Sequence, residues 1–127
     1  MPKVTVRSGT PPYRQEIVAD AHEWAADEPT SAGGQDSGPN PFQLLLAAVG
    51  SCVSITAQMY ARRKQWPLEA VEVSVEGRSQ EGAYEMSISL GFEGPLTAEQ
   101  RERLAEIAGR CPVKRTLSQP IVFKTRH

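Results

Sequence analysis

Two cysteines and two histidines in 127 residues leave little material for a metal centre. They stand too far apart to match any familiar ligand spacing. Neither sign of charge is in excess: 14 Lys and Arg against 15 Asp and Glu give a net charge of −1. A balance of that kind offers no basic face for nucleic acid. The N-terminus lacks the apolar core of a secretory signal, and no apolar run looks long enough to span a membrane. There is no Cys-x-x-Cys motif, and Gly33-Gly34 lacks the strand-then-helix setting of a dinucleotide loop. No repeat or low-complexity tract is present. With no export signal in view, the expectation is a cytoplasmic protein whose thiols rest reduced, any disulfide being transient. A chain of this length can bury roughly two-thirds of its unfolded surface without a disulfide or metal staple, so residues 1–127 are expected to form a single α+β domain.

What the sequence does have is one strongly apolar stretch. Asn40 is a good N-cap and Pro41 suits the first helical position. From Phe42 to Val49 only Gln43 is polar, and a helix apolar nearly all round is a buried one. The helix is expected to run from about Pro41 to Gln65, ending in the basic triplet Arg62-Arg63-Lys64, whose charge suits the C-terminal dipole, and closing at Trp66-Pro67. Cys52 falls in its middle, on a face shared with Leu45, Ala48, Val49, Ile55, Thr56 and Met59.

Around this helix the chain alternates. Val4 and Val6 suggest a short first strand, Gly9-Thr-Pro-Pro12 a turn, Tyr13 to Asp20 a second strand, and His22, Trp24 and Ala26 a third. Thr30 to Pro39, rich in Gly, Ser and Pro, reads as the loop delivering the chain to the helix. Asp20, Glu23, Asp27 and Glu28 read as a solvated face. Val71, Val73 and Val75, then Tyr84, Met86, Ile88, Leu90 and Phe92, alternate with polar residues about Ser79–Gly82, predicting a hairpin with one buried face. Thr97-Ala-Glu-Gln100 fits a capping box before an amphipathic helix that ends near Gly109. Pro112 would begin a short helix, and Ile121, Phe123 and Thr125 a last strand.

Only the cysteines stand out as reactive groups. Cys52, mid-helix, has no unpaired backbone N–H to stabilise a thiolate, and packing alone would account for a buried thiol there. Cys111 precedes Pro112 at a predicted helix N-terminus, with Arg110, Lys114 and Arg115 close by. Both features favour a thiolate, so the local reading makes Cys111 the better nucleophile; a packing or capping role is the alternative.

Taken together, Gly33-Gly-Gln-Asp-Ser-Gly-Pro-Asn-Pro-Phe-Gln-Leu-Leu-Leu-Ala-Ala-Val-Gly-Ser-Cys52 and Arg110-Cys-Pro-Val113 resemble the OsmC/Ohr family, the osmotically inducible protein C and organic hydroperoxide resistance proteins. Asp27-Glu-Pro29 and Trp66-Pro67-Leu68 fit its OsmC-like branch. The resemblance covers the chain from about residue 13 onward. It implies an intertwined α+β homodimer in which antiparallel sheets wrap long central helices. It also implies a thiol peroxidase that needs no cofactor. Cys52 would be the peroxidatic thiol and Cys111 the resolving one. An organic hydroperoxide would be the substrate and an external dithiol the reductant.

Two positions depart from the family pattern. The family's glutamate after Asn-Pro is replaced by Phe42, followed by Gln43, and no Lys or Arg occurs from Gln15 to Ala61. A cation for Cys52 must then come from a distant residue, Arg14 first, Arg110 or Arg115 next, with Gln43 as an uncharged donor. The competing reading is a non-catalytic dimer of the same fold that binds a small apolar ligand; a third is a structural homologue with no chemistry of its own.

Overall fold

The structure is a computed structural model, described for residues 2–9 and 11–127. It divides into two units, residues 1–45 and 46–127, with the division falling inside the long helix. The expected turn at Gly9–Pro12 includes Thr10, which lies outside the described residues; residues 11–13 form a turn.

In the N-terminal unit, β1 (Thr5–Ser8), β2 (Gln15–Ala19) and β3 (His22–Ala26) form an antiparallel meander in the order β1-β2-β3. Ile17 lies opposite Val6 on one side and Trp24 on the other. Ile17 and Ala26 are buried, while Val4, Val6 and Trp24 remain exposed. The second strand starts at Gln15 rather than Tyr13.

Asp27, assigned above to a solvated face, is instead buried, with 2% of its surface exposed. Its carboxylate accepts hydrogen bonds from the Glu28 N–H at 2.7 Å, the Ser37 N–H at 3.1 Å and the Ser37 hydroxyl at 2.6 Å. A buried charge persists only when it is hydrogen-bonded in this way. The Ser37 hydroxyl, backed by neighbouring N–H groups, pulls the carboxyl below its ordinary pKa. The loop between is pinned to the strand end, and glycine is required where it passes closest. A Cβ on Gly34 would stand 2.0 Å from the Glu28 carbonyl oxygen, and one on Gly38 2.4 Å from that of Ala25.

The latched loop feeds α1 (Pro41–Lys64). Asn40 Oδ1 accepts from the Gln43 N–H at 2.8 Å, and Gln43 Oε1 accepts from the Asn40 N–H at 2.9 Å. This reciprocal cap satisfies two donors that a helix start leaves unpaired. The helix closes at Gln65, which adopts a left-handed conformation, with the Trp66 N–H donating to the Ala61 carbonyl.

In the C-terminal unit, β4 (Ala70–Gln80) and β5 (Ala83–Glu93) pair as a two-stranded hairpin. Val75 faces Ile88 and Val73 faces Leu90 across it. Then come α2 (Ala98–Ala108), with the expected capping box between Thr97 and Gln100, and α3 (Pro112–Leu117). Gly109 caps α2 with a right-handed conformation, so its freedom to adopt positive φ is not used. Val49, Val53 and Ala57 of α1 join Ala108 and Cys111 in one buried cluster, covered by Val71, Val73, Met86, Ile88 and Leu90 of the hairpin. Tyr60, Ala61 and Leu104 form a second cluster beside Trp66, Leu96 and Ile107.

Three expectations need correction. The α1 helix is not buried all round: Ile55 is 51% and Met59 70% exposed within the single chain. Apolar residues on both faces of a helix give no period from which to tell the packed face from the open one. By length and composition α1 is also apolar enough to cross a membrane, contrary to the reading of the sequence. That reading asked for an unbroken apolar run, and the polar residues that interrupt α1 do not bring its average hydropathy down. One face of the helix is nonetheless packed in the clusters above. Finally, residues 121–125 form no strand, and Ile121, Val122 and Phe123 are exposed. Alternation makes a strand only where a neighbouring strand takes up its hydrogen bonds, and none within the described chain does so.

Candidate functional site

Cys52 lies on α1 at the border between the packed stripe Val49–Val53–Ala57 and the open stripe Ile55–Met59, and it is half-buried. Packing on one side and solvent on the other follow from that position, since residues three and four apart share a helix face. Its backbone carbonyl accepts from the Thr56 hydroxyl at 2.7 Å, so that hydroxyl is turned toward the backbone rather than toward the sulfur.

The turn between α2 and α3 places Cys111 in the buried cluster against which Cys52 packs. Its side chain is completely buried. Cys111 is the N-cap of α3, with extended backbone, and its sulfur accepts the Lys114 N–H at 3.3 Å, within the reach of a sulfur hydrogen bond. Pro112 follows at the first helical position, where its missing N–H costs nothing. Burial pushes the Cys111 thiol up; the Lys114 N–H opposes this, and Cys52, as a hydrogen-bond partner and a nearby charge, raises it further. The Lys114 charge acts in the opposite direction. Both thiols are free, so the structure is that of the reduced pair.

The side chains around the pair are apolar: Val71, Val73, Met86, Ile88, Val113 and Leu117 pack against the cluster that contains Cys111. Among the described residues no group of His, Cys, Asp and Glu is arranged to hold a metal ion.

The supporting candidates fall differently. Arg14, in the N-terminal unit, pairs through Nε with Glu16 at 2.8 Å and donates to the Ser37 carbonyl at 3.4 Å. Gln43, in the same unit, is occupied as the capping partner of Asn40. Arg110 pairs with Glu106 at 3.0 Å, and Arg115 is exposed. The cation that acts on Cys111 is Lys114, noted in the sequence only as one of three near that thiol.

A second feature was not legible at all. Tyr60 sits under three cations, with Arg63, Lys64 and Arg103 at 5.2, 5.7 and 5.5 Å from its ring centre. Arg103 Nε donates to the phenolic oxygen at 3.2 Å, and this bond, with the surrounding charge, draws the tyrosine below its ordinary pKa. A cleft of about 610 Å³ opens beside it, lined by Lys64, Trp66, Gln100, Arg103 and Glu106 among others; neither cysteine lines it. Residues 43 apart in sequence leave no periodic signal, and Arg63 and Lys64 of the basic triplet at the end of α1 also face this ring.

Comparison with known proteins agrees with the fold and the motifs. A family model described as OsmC-like protein matches residues 34–126, and the chain belongs to that family. The crystal structure of an OsmC-like protein from Mycoplasma pneumoniae superposes with a TM-score of 0.77 at 17% identity, covering 93% of this chain and 87% of that one. The organic hydroperoxide resistance protein OhrB of Bacillus subtilis gives 0.63 at 23% identity, covering 91% and 89%. An organic hydroperoxide resistance protein from Elizabethkingia anophelis gives 0.67 at 19% identity, covering 91% and 86%. Comparison with curated protein sequences finds no match. The α+β fold with antiparallel sheets and a long helix is thus the OsmC-like fold.

Proposed function

We propose that this protein is a thiol-dependent peroxidase that reduces organic hydroperoxides in the cytoplasm, working as a homodimer of one OsmC-like domain per chain. The observation that carries the reading is a half-buried thiol, Cys52, packed against the buried apolar cluster that holds a second, fully buried thiol, Cys111. The sulfur of Cys52, as thiolate, attacks the terminal peroxide oxygen. The O–O bond breaks, the alkoxide leaves and takes a proton as the alcohol, and Cys52 becomes a sulfenic acid. The sulfur of Cys111 then displaces hydroxide, lost as water, and forms the Cys52–Cys111 disulfide. An external dithiol restores both thiols by exchange and is itself oxidised to a disulfide.

The resistance functions named for the Bacillus and Elizabethkingia proteins support an oxidative-stress role. The open apolar residues Ile55 and Met59 on α1, with the exposed Ile121-Val-Phe123, support a dimer, because apolar surface of that kind is normally covered by a partner. One observation favours the non-catalytic, ligand-binding reading: Arg14 is already engaged by Glu16.

The deciding experiment is consumption of cumene hydroperoxide by the reduced protein with a dithiol present. The expected result is turnover that is lost in Cys52→Ser. Consumption no faster in the native protein than in that variant would remove the peroxidase and leave the ligand-binding dimer.

A further inference from the structure

We infer that the cleft beside Tyr60 binds an α-amino acid with an apolar side chain, taken as the zwitterion. Its carboxylate is held by Lys64, Arg103 and the Tyr60 hydroxyl, its ammonium group by Glu99 and Glu102, and its side chain lies against Trp66. Neither thiol belongs to this site, and it does not depend on the peroxidase reading.

The cleft runs along one face of α2. Glu99, Glu102, Arg103 and Glu106 recur at spacings of three and four, so they line one side of it together. Tyr60 and Lys64, from the end of α1, and Trp66, just beyond it, line the rest. A volume of about 610 Å³ falls in the range of small-molecule sites. Tyr60 and Trp66 meet edge to face with ring centres 5.5 Å apart, which gives the cleft an aromatic surface.

The donors on these walls have capacity to spare. Arg103 uses Nε on the Tyr60 oxygen at 3.2 Å and Nη1 on Glu106 at 2.9 Å, and its Nη2 has no acceptor among the described residues. Tyr60 is only 9% exposed, and while its oxygen accepts from Arg103, its own hydrogen goes to no acceptor among the described residues. Most buried polar groups are fully used, so an unspent hydroxyl hydrogen at a cleft marks a place for an acceptor. Lys64 meets the Tyr60 ring, with Nζ 5.7 Å from its centre, and pairs with no carboxylate among the described residues. Two cationic donors and a hydroxyl suit a carboxylate, whose oxygens accept several hydrogen bonds and make them stronger by their charge.

The acids decide against a plain anion. Glu106 is shared by Arg103 and Arg110, at 2.9 and 3.0 Å. Glu99 and Glu102 pair with no cation among the described residues. Glu99 stands in the first turn of α2, where a carboxylate suits the helix dipole, but Glu102 lies beyond that turn. A dicarboxylate or a phosphate would face both acids, and a simple amine would face Lys64. A molecule carrying both charges answers both walls. Glu99 and Arg103 are four residues apart, about 6 Å along the helix, a span that their side chains can narrow to that of an amino acid.

Three probes with the same ring separate the charges: L-phenylalanine carries both, 3-phenylpropanoate only the carboxylate, and 2-phenylethylamine only the ammonium group. The readout is the indole N–H resonance of Trp66 during titration, told apart from that of Trp24 by Trp24→Phe. L-Phenylalanine should shift it saturably, with a Kd of about 1 mM or tighter, and each single-charge probe should bind at least about five-fold more weakly. Lys64→Gln and Glu102→Gln change exposed residues, so neither threatens the fold; each should weaken L-phenylalanine about five-fold, and Lys64→Gln should leave 2-phenylethylamine no weaker. No saturable shift with L-phenylalanine up to about 10 mM would overturn the inference. So would binding of 3-phenylpropanoate or 2-phenylethylamine as tight as that of L-phenylalanine, or affinity unchanged in both variants. Turnover of cumene hydroperoxide, present or absent, leaves each of these outcomes as it stands.

Discussion

The N-terminal unit buries Ile17, Ala26 and a carboxylate, Asp27, whereas the C-terminal unit buries Val49, Val53, Ala57, Leu104, Ala108 and Cys111. One is held by strand pairing and a latch of hydrogen bonds on Asp27; the other is held by apolar side chains packed between a helix, a hairpin and α2. The difference matters for where a thiol can be kept. A half-open polar lattice exchanges its hydrogen bonds with water, while an apolar cluster can keep Cys111 sealed and still present Cys52 at its edge. The two kinds of support should fail in different ways.

The largest expected effect is in the packed unit. Leu104 has no exposed surface and anchors the second cluster beside Tyr60 and Ala61. Leu104→Ala should cost about 2–5 kcal/mol, from lost burial plus the cavity left behind. Thermal unfolding would show this as a Tm lower by roughly 10 °C or more. A change of only a degree or two would mean that the cluster is loosely filled, and the contrast between the units would weaken.

The latch should respond to pH rather than to volume. The native carboxyl of Asp27 is held below its unfolded value, chiefly by the Ser37 hydroxyl. Its contribution is therefore full above the ordinary aspartate range and is lost as pH falls through the native value. Asp27→Asn should remove that acid-side loss, and at neutral pH it should speed amide hydrogen exchange at Glu28 and Ser37, with much less effect on amides of the β4–β5 hairpin. Equal acceleration in both places would show that the latch supports the whole chain.

How much of this was legible depends on the distance over which each feature is encoded. The hairpin was legible because every second residue from Val71 to Val75 and from Tyr84 to Phe92 is apolar, and the capping box because Thr97 and Gln100 are three residues apart. The cysteines were singled out as a pair only through resemblance: nothing local joins residues 52 and 111, and the local argument favoured Cys111 as the attacking thiol, whereas Cys111 is completely buried and Cys52 only half-buried. Asp27 looked like a surface acid because its partner, Ser37, is ten residues away across a loop. The arginine over Tyr60 comes from another helix altogether. Residues 121–125 carry a strand pattern, but no strand among the described residues pairs with it.

A smaller effect belongs to the α2 cap. The Thr97 hydroxyl accepts from the Gln100 N–H, and the Gln100 side chain accepts from the Thr97 N–H, each at 3.0 Å. Thr97→Ala should lower stability by about 1 kcal/mol. Measured by urea unfolding, the midpoint should fall while the slope is unchanged. A changed slope would mean that α2 frays in the native state and that the packed unit is less uniform than its core suggests.

The smallest effect should come from the far end of the hairpin. Glu85 pairs with Arg78 at 3.3 Å across the strands and also accepts from Gln80 at 3.0 Å. Both charged side chains are largely exposed, Arg78 at 71% and Glu85 at 48%, so water screens their attraction and their ordering offsets much of the gain. Glu85→Gln keeps the size and the acceptor oxygen and removes only the charge. It should change stability by no more than about 0.5 kcal/mol, and that difference should vanish in high salt. Residues Arg78 and Glu85 are register partners, so a larger, salt-independent loss would have another source. It would show that the charge fixes strand register beyond the last well-packed pairs, Val75–Ile88 and Val73–Leu90. The hairpin would then depend on polar contacts at its tip much as the N-terminal unit depends on Asp27, and the contrast between the two units would hold only for the half of the hairpin that covers the thiols.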